Sequence, residues 1–451
     1  MNIVIYSSTS NDFDKESYTI KQLPACLDQW KKTKKIFKDI NYSVVTQLPA
    51  MFVSDYDKDG LLPSNIKGVD FYLRPLAESP EDTAAFIEQL KPDIAVAASF
   101  WMNPFDYLNA KDALTASILN KKRIHTVNHS IDTCMTCFDK WTTHLTLKSA
   151  GFNVAHSVFI NHNLYFNASS KKEILENVYK ESVLHQIKNM HYPLIIKDTT
   201  GLSSVGMDKV DTYEEVVKIL DSKKNSGDRI VEEYIEGLQA GCEIHGRKGK
   251  YAVLSPFAFS VNKYGITSPK QSVKAGPITG DYYRIDELKS MLLKLADFLQ
   301  LEGIAQVDLV FSHDNWYIIE VNPRLSGMSL TYCASSKKTL YQVLTEIALD
   351  NISEPRLYPC LNIKLPILTD NELDRLKSMD GVKFIRQINN TNAKQERERG
   401  FCELILSTDG GYDDLIKKLD SIKETFPHAI ESSFYDNAVS LLSIVRMPCK
   451  Q

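Results

Sequence analysis

The feature that most constrains this chain is a pair of apolar strands that carry acidic residues at matching places. Ile304–Phe311 and Trp316–Val321 have the composition of strands, and the short polar segment between them predicts a turn. Asp308 and Glu320 take corresponding places on the two predicted antiparallel strands. Asn322 lies two residues beyond Glu320, so both side chains point to the same face of the sheet. Three oxygen donors on one face suit Mg²⁺, which prefers carboxylates, water and phosphates.

Arg324 continues this alternation past Pro323. A guanidinium held beside a bound metal ion is suited to stabilising a transferring phosphoryl group or an oxyanion. An ordinary hairpin with charged residues facing solvent explains the same segment equally well when it is taken alone. Both interpretations therefore stay open at this point.

A second polar segment follows another apolar strand. Tyr192–Ile196 leads to Lys197, and the segment Thr199–Met207 is rich in small residues. The amides and hydroxyls of such a loop can close over phosphates while the lysine neutralises their charge. The loop lacks the Gly-Lys-Ser/Thr ending of a Walker loop. Taken alone, it is more simply a turn after a buried strand.

A third segment, Ile230–Gly237, predicts a strand that ends in acidic and aromatic residues. A strand edge exposes backbone N–H and C=O groups that can bind the edge of an adenine ring, and a nearby carboxylate can bind ribose. This signal is weak by itself.

Composition limits the function classes. The chain has 451 residues, is 43% hydrophobic and 24% charged, and has a net charge of −4. This composition predicts a globular protein of about three domains, and it gives no reason to expect nucleic acid or a membrane surface as a partner. The N-terminus does not have the pattern of a signal peptide. Eight cysteines over this length do not indicate a disulfide framework, so we expect a soluble cytoplasmic protein.

The order of predicted elements gives the fold class. Strands alternate with amphipathic stretches through the first 130 residues, which predicts a parallel α/β sheet. A helix is predicted over residues 20–39, and a strong one over Ile285–Leu299. Residues 355–451 predict the order β-α-β-β-α-β, with Val439–Val445 as the last strand, which is ferredoxin-like. No Gly-x-Gly-x-x-Gly follows the first strand, so a Rossmann dinucleotide site is not supported.

The three polar segments, in this order, resemble the ATP-grasp superfamily, and in particular its carboxylate–amine ligases of the L-amino-acid ligase type. The resemblance covers about residues 1–350, and Asp139-Lys140 is similar to the start of the superfamily's ATP-binding region. It implies an N-terminal α/β domain (1–130), two α+β ATP-binding subdomains and a C-terminal α+β ferredoxin-like lobe (353–451). The ATP-binding part divides into a central helical part (131–190), a lid subdomain (191–260) and a catalytic core (261–352).

The resemblance also implies roles for individual residues. Lys140 and Lys197 would contact nucleotide phosphates, and Asp308, Glu320 and Asn322 would bind magnesium. The residues of the mobile lid would be Gly201, Ser203, Ser204 and Gly206. The residues of the adenine hinge would be Glu232, Glu233, Tyr234 and Ile235. For ribose, Gln239 has the usual offset from Gly237, whereas Glu243 has the right chemistry if a short insertion is allowed.

Three positions bear on the branch of the superfamily. The D-alanine–D-alanine ligase branch carries an arginine two residues before the first metal-binding acid, where this chain has Gln306. Asn322–Gly327 is instead similar to the Asn-Pro-Arg-x-x-Gly motif of the L-amino-acid ligases and carboxylases. Lys274 stands where a histidine often precedes the long helix in amino-acid ligases, and it is interpreted as a contact to substrate carboxylate or phosphate. A solvated lysine is the alternative.

The function that follows is ATP-dependent amide or peptide bond formation between a small carboxylate, such as an amino acid, and an amine. The reaction would pass through an acyl phosphate and release ADP and phosphate, with ATP and two Mg²⁺ ions (or Mn²⁺) required. Arg324 and Lys274 would be the catalytic side chains. Two alternatives remain: a carboxylase or purine-type ligase that makes carboxyphosphate or formyl phosphate, and an ATP-binding regulatory protein without turnover. A homodimer is expected by resemblance alone.

Overall fold

Short apolar runs separated by amphipathic helices form a five-stranded parallel sheet at the N-terminus, as the sequence predicts. The structure is a computed structural model that describes residues 1–8, 17–50, 52–57, 60–100, 108–167, 175–201, 207–222, 225–262, 273–393 and 399–446. The strands of this sheet, in spatial order, are β6 (Val69–Leu73), β3 (Asn41–Thr46), β1 (Asn2–Ser7), β7 (Ile94–Ala97) and β8 (His125–Val127). The helices of this region are α1 (Cys26–Ile36), α2 (Pro80–Gln89) and α3 (Leu108–Lys121). A two-stranded hairpin, β4 (Tyr56–Asp57) with β5 (Gly60–Leu61), lies beside them.

The next region carries a four-stranded antiparallel sheet. Its strands, in spatial order, are β11 (Met207–Val210), β10 (Leu194–Asp198), β12 (Arg229–Glu233) and β9 (Ser157–Ile160). The helices before and around it are α4 (Ile131–Phe138), α5 (Lys140–Ser149), α6 (His162–Tyr165), α7 (Val178–Lys188) and α8 (Tyr213–Leu220). Its core is apolar and separate from the others, with Val158, Leu194 and Val231 among its buried side chains. The four-stranded sheet therefore has an apolar core of its own.

The largest sheet is antiparallel and joins the centre of the chain to its C-terminal part. Its strands are, in spatial order, β18 (Asn315–Asn322), β17 (Gly303–Ser312), β13 (Leu238–Arg247), β15 (Phe257–Phe259), β16 (Val273–Gly276), β19 (Cys360–Leu365), β21 (Gly400–Ser407), β20 (Val382–Asn390) and β2 (Tyr18–Leu23), with β14 (Lys250–Val253) paired to β13. The accompanying helices are α9 (Ile285–Phe298), α10 (Ser329–Ser336), α11 (Leu340–Ala348), α12 (Asp370–Lys377), α13 (Tyr412–Thr425) and α14 (Ser432–Ile444), together with a 3₁₀ turn at Asp281–Tyr283.

The two faces of this large sheet differ in character. One face is apolar and packs on α9, α13 and α14 through residues such as Ala240, Val307 and Leu404. Because side chains alternate along a strand, the neighbours of these residues, Gly241, Asp308 and Glu403, lie on the opposite face. That opposite face carries the polar residues discussed below and is where the candidate site lies. Among the helices that the structure describes, none has the length and apolar character to cross a membrane.

Two sequence predictions of individual elements are wrong. The predicted helix over 20–39 begins only at Cys26, because Pro24 cannot continue a helix and the residues before it form strand β2 instead. Residues 439–444 of the predicted last strand, Val439–Val445, belong to helix α14, and Val445 is the C-cap of that helix. Its buried residues Ala438, Leu441, Leu442 and Val445 follow helical spacing. The ferredoxin-like arrangement is completed differently, since β16 pairs with β19 at the place of the fourth strand.

Candidate active site

The acidic hairpin has the pairing that the sequence predicts. Strands β17 and β18 are antiparallel, with Asp308 opposite Glu320 and Gln306 opposite Asn322. The pairing that starts at the turn would place Asp308 opposite Ile319, but the register shifts between Asp308 and Leu309. This β-bulge turns Glu320 to the same face as Asp308. Bulges often re-aim side chains in this way next to active sites.

Asp308 and Glu320 form a pair of like charges in a partly buried place. Burial raises the pKa of Asp308 to about 7, and the neighbouring Glu320 carboxylate adds to this effect. Burial alone raises the pKa of Glu320, but Lys140 and Lys197 outweigh it and hold that pKa below its ordinary value. Gln306 donates a hydrogen bond of 2.5 Å to Asp308 Oδ1. Two carboxylates that repel each other across one strand pair are the donor set that a divalent cation would stabilise.

The amide of Asn322 completes the set of oxygen donors on this face. Within the described ranges, no group of three His, Cys, Asp or Glu side chains could hold a metal ion. The candidate centre therefore consists of two carboxylates and an amide. This suits Mg²⁺ bound together with substrate phosphates, because Mg²⁺ in such sites takes only one or two protein carboxylates.

Arg324 is buried directly beside this centre. Its Nη2 donates to Asn322 Oδ1 at 2.9 Å, and its Nη1 donates to the Leu325 carbonyl at 3.2 Å. The amide of Leu325 donates to the Ser99 carbonyl at 2.9 Å, next to the carboxyl end of β7. Arg324 is thus held between the acidic hairpin and the N-terminal sheet, where its planar guanidinium has a fixed direction.

Lys140 connects the acidic hairpin to the start of the predicted lid. Its Nζ lies 3.2 Å from Glu320 Oε1 and donates to the Gly201 carbonyl at 3.0 Å. Its backbone amide donates to the Thr199 carbonyl at 2.7 Å. Asp139 caps helix α5 by accepting from the Thr142 amide, which fixes Lys140 in the first turn of the helix. The predicted lid residues Ser203, Ser204 and Gly206 lie outside the described residues.

Lys197 and Glu232 face each other on neighbouring strands of the four-stranded sheet. Lys197 Nζ lies 2.5 Å from Glu232 Oε2, and Ser157 donates to the other oxygen of Glu232 at 3.2 Å. Both charged side chains are mostly buried. If a phosphate group approached, Lys197 could exchange the Glu232 carboxylate for the phosphate. The ammonium group would then keep an anionic partner at every stage.

The predicted adenine hinge lies where β12 ends. The amide of Glu233 donates to the His156 carbonyl at 2.9 Å, and the amide of Tyr234 donates to the Pro193 carbonyl at 3.0 Å. The Glu233 carboxylate accepts from the His191 amide at 2.9 Å. Ile235, half-buried, follows as the chain leaves the sheet. These bonds fix the direction of the backbone at the hinge.

The two candidates for the ribose contact have different surroundings. Glu243 is fully buried and accepts from Ser329 Oγ at 2.6 Å and from Ser326 Oγ at 3.3 Å. His245 Nε2 lies 2.9 Å from its other oxygen. Gln239, near the start of β13, is only partly buried. A carboxylate enclosed by three partners is a poor contact for a nucleotide, so these surroundings count against Glu243 as the ribose acid and leave Gln239 as the other candidate.

Lys274 lies on the same face as the acidic hairpin and is not a solvated lysine. Its Nζ lies 3.3 Å from the point that a Cβ on Gly327 would occupy and 5.6 Å from the centre of the Phe259 ring. Burial lowers the pKa of Lys274, while Glu403 and Asp308 oppose that effect. Gly327 leaves room for the ammonium group beside the loop that follows Arg324.

Sequence reasoning missed two sets of residues on this face. The first set is Ser326 and Ser329, whose hydroxyl groups both donate to Glu243. The two serines are also bonded to each other, because the Ser326 amide donates to Ser329 Oγ at 3.0 Å. Arg386 and Glu403 are buried and Lys364 is half-buried, on three further strands. The second set could have been predicted from a charged residue inside a short apolar strand, such as Lys364 in Cys360–Leu365.

Comparisons with known proteins identify relatives of this chain. Residues 147–337 match the family described as D-ala D-ala ligase C-terminus. A D-alanine–D-alanine ligase B of Clostridium perfringens is 29% identical over 172 residues, which is 37% of this chain and 55% of that protein. The carbamoyl phosphate synthase large chain of Caldanaerobacter subterraneus is 24% identical over 250 residues, which is 53% of this chain and 22% of that protein. The matched part therefore spans about half the length of the D-alanine–D-alanine ligase and less of the synthase.

Solved structures show the same fold over nearly the whole chain. The L-amino acid ligase from Bacillus licheniformis superposes with a TM-score of 0.61 at 17% identity, covering 93% of this chain and 97% of that one. The biotin carboxylase domain of Hydrogenobacter thermophilus 2-oxoglutarate carboxylase, solved with MgADP and bicarbonate, gives 0.60 at 14% identity and covers 94% and 89%. The fold is the ATP-grasp fold. Residues 147–337 thus match a ligase family by sequence, and the chain as a whole has the ATP-grasp fold.

Proposed function

We propose that this protein is an ATP-dependent carboxylate–amine ligase that forms an amide or peptide bond and releases ADP and phosphate. The observation that carries the proposal is the pairing of Asp308 with Glu320, with Asn322 and Arg324 following on the same face. The relatives support it, since the matched family and the Clostridium protein are named as ligases that join two amino acids. Such an acidic pair beside a buried arginine is suited to phosphoryl transfer.

ATP would lie between the four-stranded sheet and the acidic hairpin. Lys140 and Lys197 would contact its phosphates, and Gly201, Ser203, Ser204 and Gly206 would cover them. Glu232 to Ile235 would hold the adenine ring, and Gln239 would contact ribose. Asp308, Glu320 and Asn322 would hold two Mg²⁺ ions, for which Mn²⁺ can substitute. Bound there, the metal supplies positive charge to the phosphate oxygens.

The residues of the chain would then activate a carboxylate that is otherwise inert towards amines. Arg324 points its guanidinium at the transferring phosphoryl group, and afterwards at the oxyanion that forms when the amine attacks the acyl phosphate. Lys274 holds the substrate's anionic group beside Gly327. The lid excludes water, so that the amine and not water attacks the activated carbonyl.

A second candidate function rests on other relatives. The carbamoyl phosphate synthase and biotin carboxylase comparisons favour a carboxylase-type reaction, in which bicarbonate or formate is phosphorylated in place of an organic acid. The Asn322–Gly327 motif does not separate the two, because it resembles both groups. An ATP-binding protein without turnover is disfavoured by the complete set of Asp308, Glu320, Asn322 and Arg324.

The test is release of ADP from ATP and Mg²⁺ in the presence of pairs drawn from the twenty amino acids. We expect release that requires both an acid and an amine, together with a product of the summed mass less water. The Glu320→Gln variant is the inactive control. Release that depends on bicarbonate and not on an amino acid would replace the proposal with the carboxylase reaction. A protein that binds ATP but releases no ADP with any pair or with bicarbonate would overturn both.

A further inference from the structure

An aromatic side chain lies on the same sheet face as the acidic hairpin. Phe259 on β15 lies opposite Lys274 on β16, and its ring reaches over Gly241 on β13. Gly241 itself lies opposite Asp308 on β17. Because residues opposite each other share a face, the ring stands between the lysine that would hold the substrate and the acidic pair that would hold the metal.

The ring lies directly on the backbone of β13, and a glycine makes this close approach possible. A Cβ at position 241 would lie 2.2 Å from Cζ of Phe259 and 3.0 Å from its Cε2. Carbon atoms in contact lie about 3.5–4.0 Å apart, so the two could not both keep their places. Strand β13 is paired with β15 on one side and β17 on the other, which leaves its backbone little freedom to withdraw. A larger residue at 241 would therefore lift the ring off the sheet.

Part of the ring packs in the core, and the rest is open to the site. Phe259 packs against the apolar cluster that includes Phe257, Leu325 and Met328, yet the residue is only half-buried. Lys274 Nζ lies 5.6 Å from the centre of the ring. Two successive contacts would need about 7 Å, so no group of a substrate fits between the ring and the ammonium group. The two side chains form one continuous wall.

This wall bounds the space in which the acid substrate would lie. Under the proposed function, Lys274 holds an anionic group of the substrate and the acidic hairpin holds the metal ions. The carbon atoms of the acid then lie against the Phe259 ring, which stands between these two charged places. Closely packed groups tolerate little overlap, so the height of the ring above β13 decides how much room is left for the side chain of the acid.

We propose that Phe259 is a specificity-determining residue whose ring limits the size of the apolar side chain that the acid substrate can carry. This inference rests on the proposed ligase function and adds to it a residue that selects among acids. A smaller residue at 259 should admit larger acids. A larger residue at 241 should lift the ring and exclude them. The two substitutions therefore have opposite expected effects on the same preference.

The test measures which acids the enzyme activates. Hydroxylamine serves as the amine in the presence of ATP and Mg²⁺. Its nitrogen attacks the carbonyl carbon of the acyl phosphate, the bond from that carbon to the phosphate oxygen breaks, and a hydroxamate and phosphate are formed. The acids are the twenty amino acids, among which glycine, L-alanine, L-valine, L-leucine and L-phenylalanine form an apolar series graded by size. The measured quantity is kcat/KM for each acid.

Two variants should move the preference in opposite directions. Phe259→Ala should raise kcat/KM for L-leucine relative to L-alanine by about tenfold or more, the effect of a methylene group in an apolar pocket. Gly241→Ala should lower kcat/KM for the larger acids relative to glycine by about the same factor. Phe298→Ala is the matched control and should leave every ratio unchanged. Phe298 is an exposed phenylalanine at the end of α9, which packs on the other face of the sheet.

The outcomes separate the inference from the ligase function. Unchanged preferences in a folded Phe259→Ala variant overturn the inference and leave the ligase function standing. A shift in the same direction in both variants also overturns it, as does hydroxamate from polar amino acids with none from the apolar series. If Phe259→Ala does not fold, Phe259→Leu tests the same expectation with a smaller loss of volume. No hydroxamate from any amino acid, while ATP still binds, counts against the ligase function itself and removes the inference with it.

Discussion

The two ends of one sheet face carry opposite charge. At one end, Asp308 and Glu320 lie opposite each other on a hairpin and repel unless a cation lies between them. At the other end, Lys364 and Arg386 flank Glu403 on three strands. The acidic end suits a metal ion and the phosphates of a nucleotide. The carboxylate at the second end is already bonded by Arg386 and Asn362, whereas the two carboxylates of the hairpin face each other.

Removal of one acidic charge should have the largest effect. Glu320→Gln should lower the rate of ADP formation by roughly 10²–10³, the loss typical when one electrostatic group of a reaction centre is removed. Addition of EDTA to the wild type should have a similar effect. Asp314→Asn is the matched control, since Asp314 is an exposed acid in the turn of the same hairpin. A Glu320→Gln variant with full turnover would show that this end does not hold the metal.

Arg324→Lys tests whether the acidic end needs a planar guanidinium or only a positive charge. Lysine keeps the charge but cannot reproduce the two bonds to Asn322 and Leu325. We expect kcat to fall by about 10² with little change in KM for ATP, measured as ADP release under steady-state conditions. Arg356→Lys, at an exposed arginine, should change neither value. An unchanged kcat for Arg324→Lys would show that the reaction needs only a positive charge at this position and not a planar guanidinium.

Glu243→Gln addresses the region between the two ends. The variant keeps an acceptor for Ser326 and Ser329 but loses the charge that faces His245. We expect kcat to fall by about tenfold because the loop after Arg324 is less well fixed, with KM for ATP unchanged. Gln239→Ala should instead raise KM for ATP. If Glu243→Gln raised KM for ATP and Gln239→Ala did not, Glu243 would be the ribose contact after all.

The acidic end could be predicted because its residues are close in sequence. One short turn sets the pairing of β17 and β18, so the alternation of Asp308, Glu320 and Asn322 was visible without coordinates. Even here the bulge beside Asp308 was not predicted. Without it, Glu320 would point to the apolar face, and nothing in the composition of Ile318–Glu320 signals the extra residue.

The basic end could not be predicted because its strands meet only in the folded chain. Lys274 and Asn362 are paired across β16 and β19, and β2 joins the same sheet from the N-terminus. Single-sequence patterns carry no information on such distant pairings. The error at Val439–Val445 has a related cause, since a short apolar run fits a buried strand as well as one face of a helix.

His129 offers the smallest expected effect, and it concerns stability rather than turnover. The ring is buried, with Nε2 3.0 Å from the Ile304 carbonyl and Nδ1 accepting from the Glu302 amide at 3.1 Å, both at the start of β17. Burial lowers the pKa of His129 to about 4. In the unfolded chain its pKa is about 6.5, so the unfolded state binds more protons between these values. Stability is therefore present above pH 6.5 and is lost as the pH falls towards 4.

We expect this histidine to cost the folded state about 2 kcal/mol of unfolding free energy between pH 7 and pH 5. His129→Gln should be less stable than the wild type at pH 7 but should lose less stability over that pH range, as measured by urea unfolding. His125→Gln is the matched control, because His125 is an exposed histidine, and this variant should follow the wild-type pH profile. If the unfolding free energies of His129→Gln and the wild type changed equally with pH, the His129 ring would be protonated or exposed to solvent in the native state. The hydrogen bonds described for His129 go to the backbone at the beginning of β17. A loss of stability without a loss of kcat at pH 8 would therefore show that the acidic end depends on the hairpin's own register and not on this anchor.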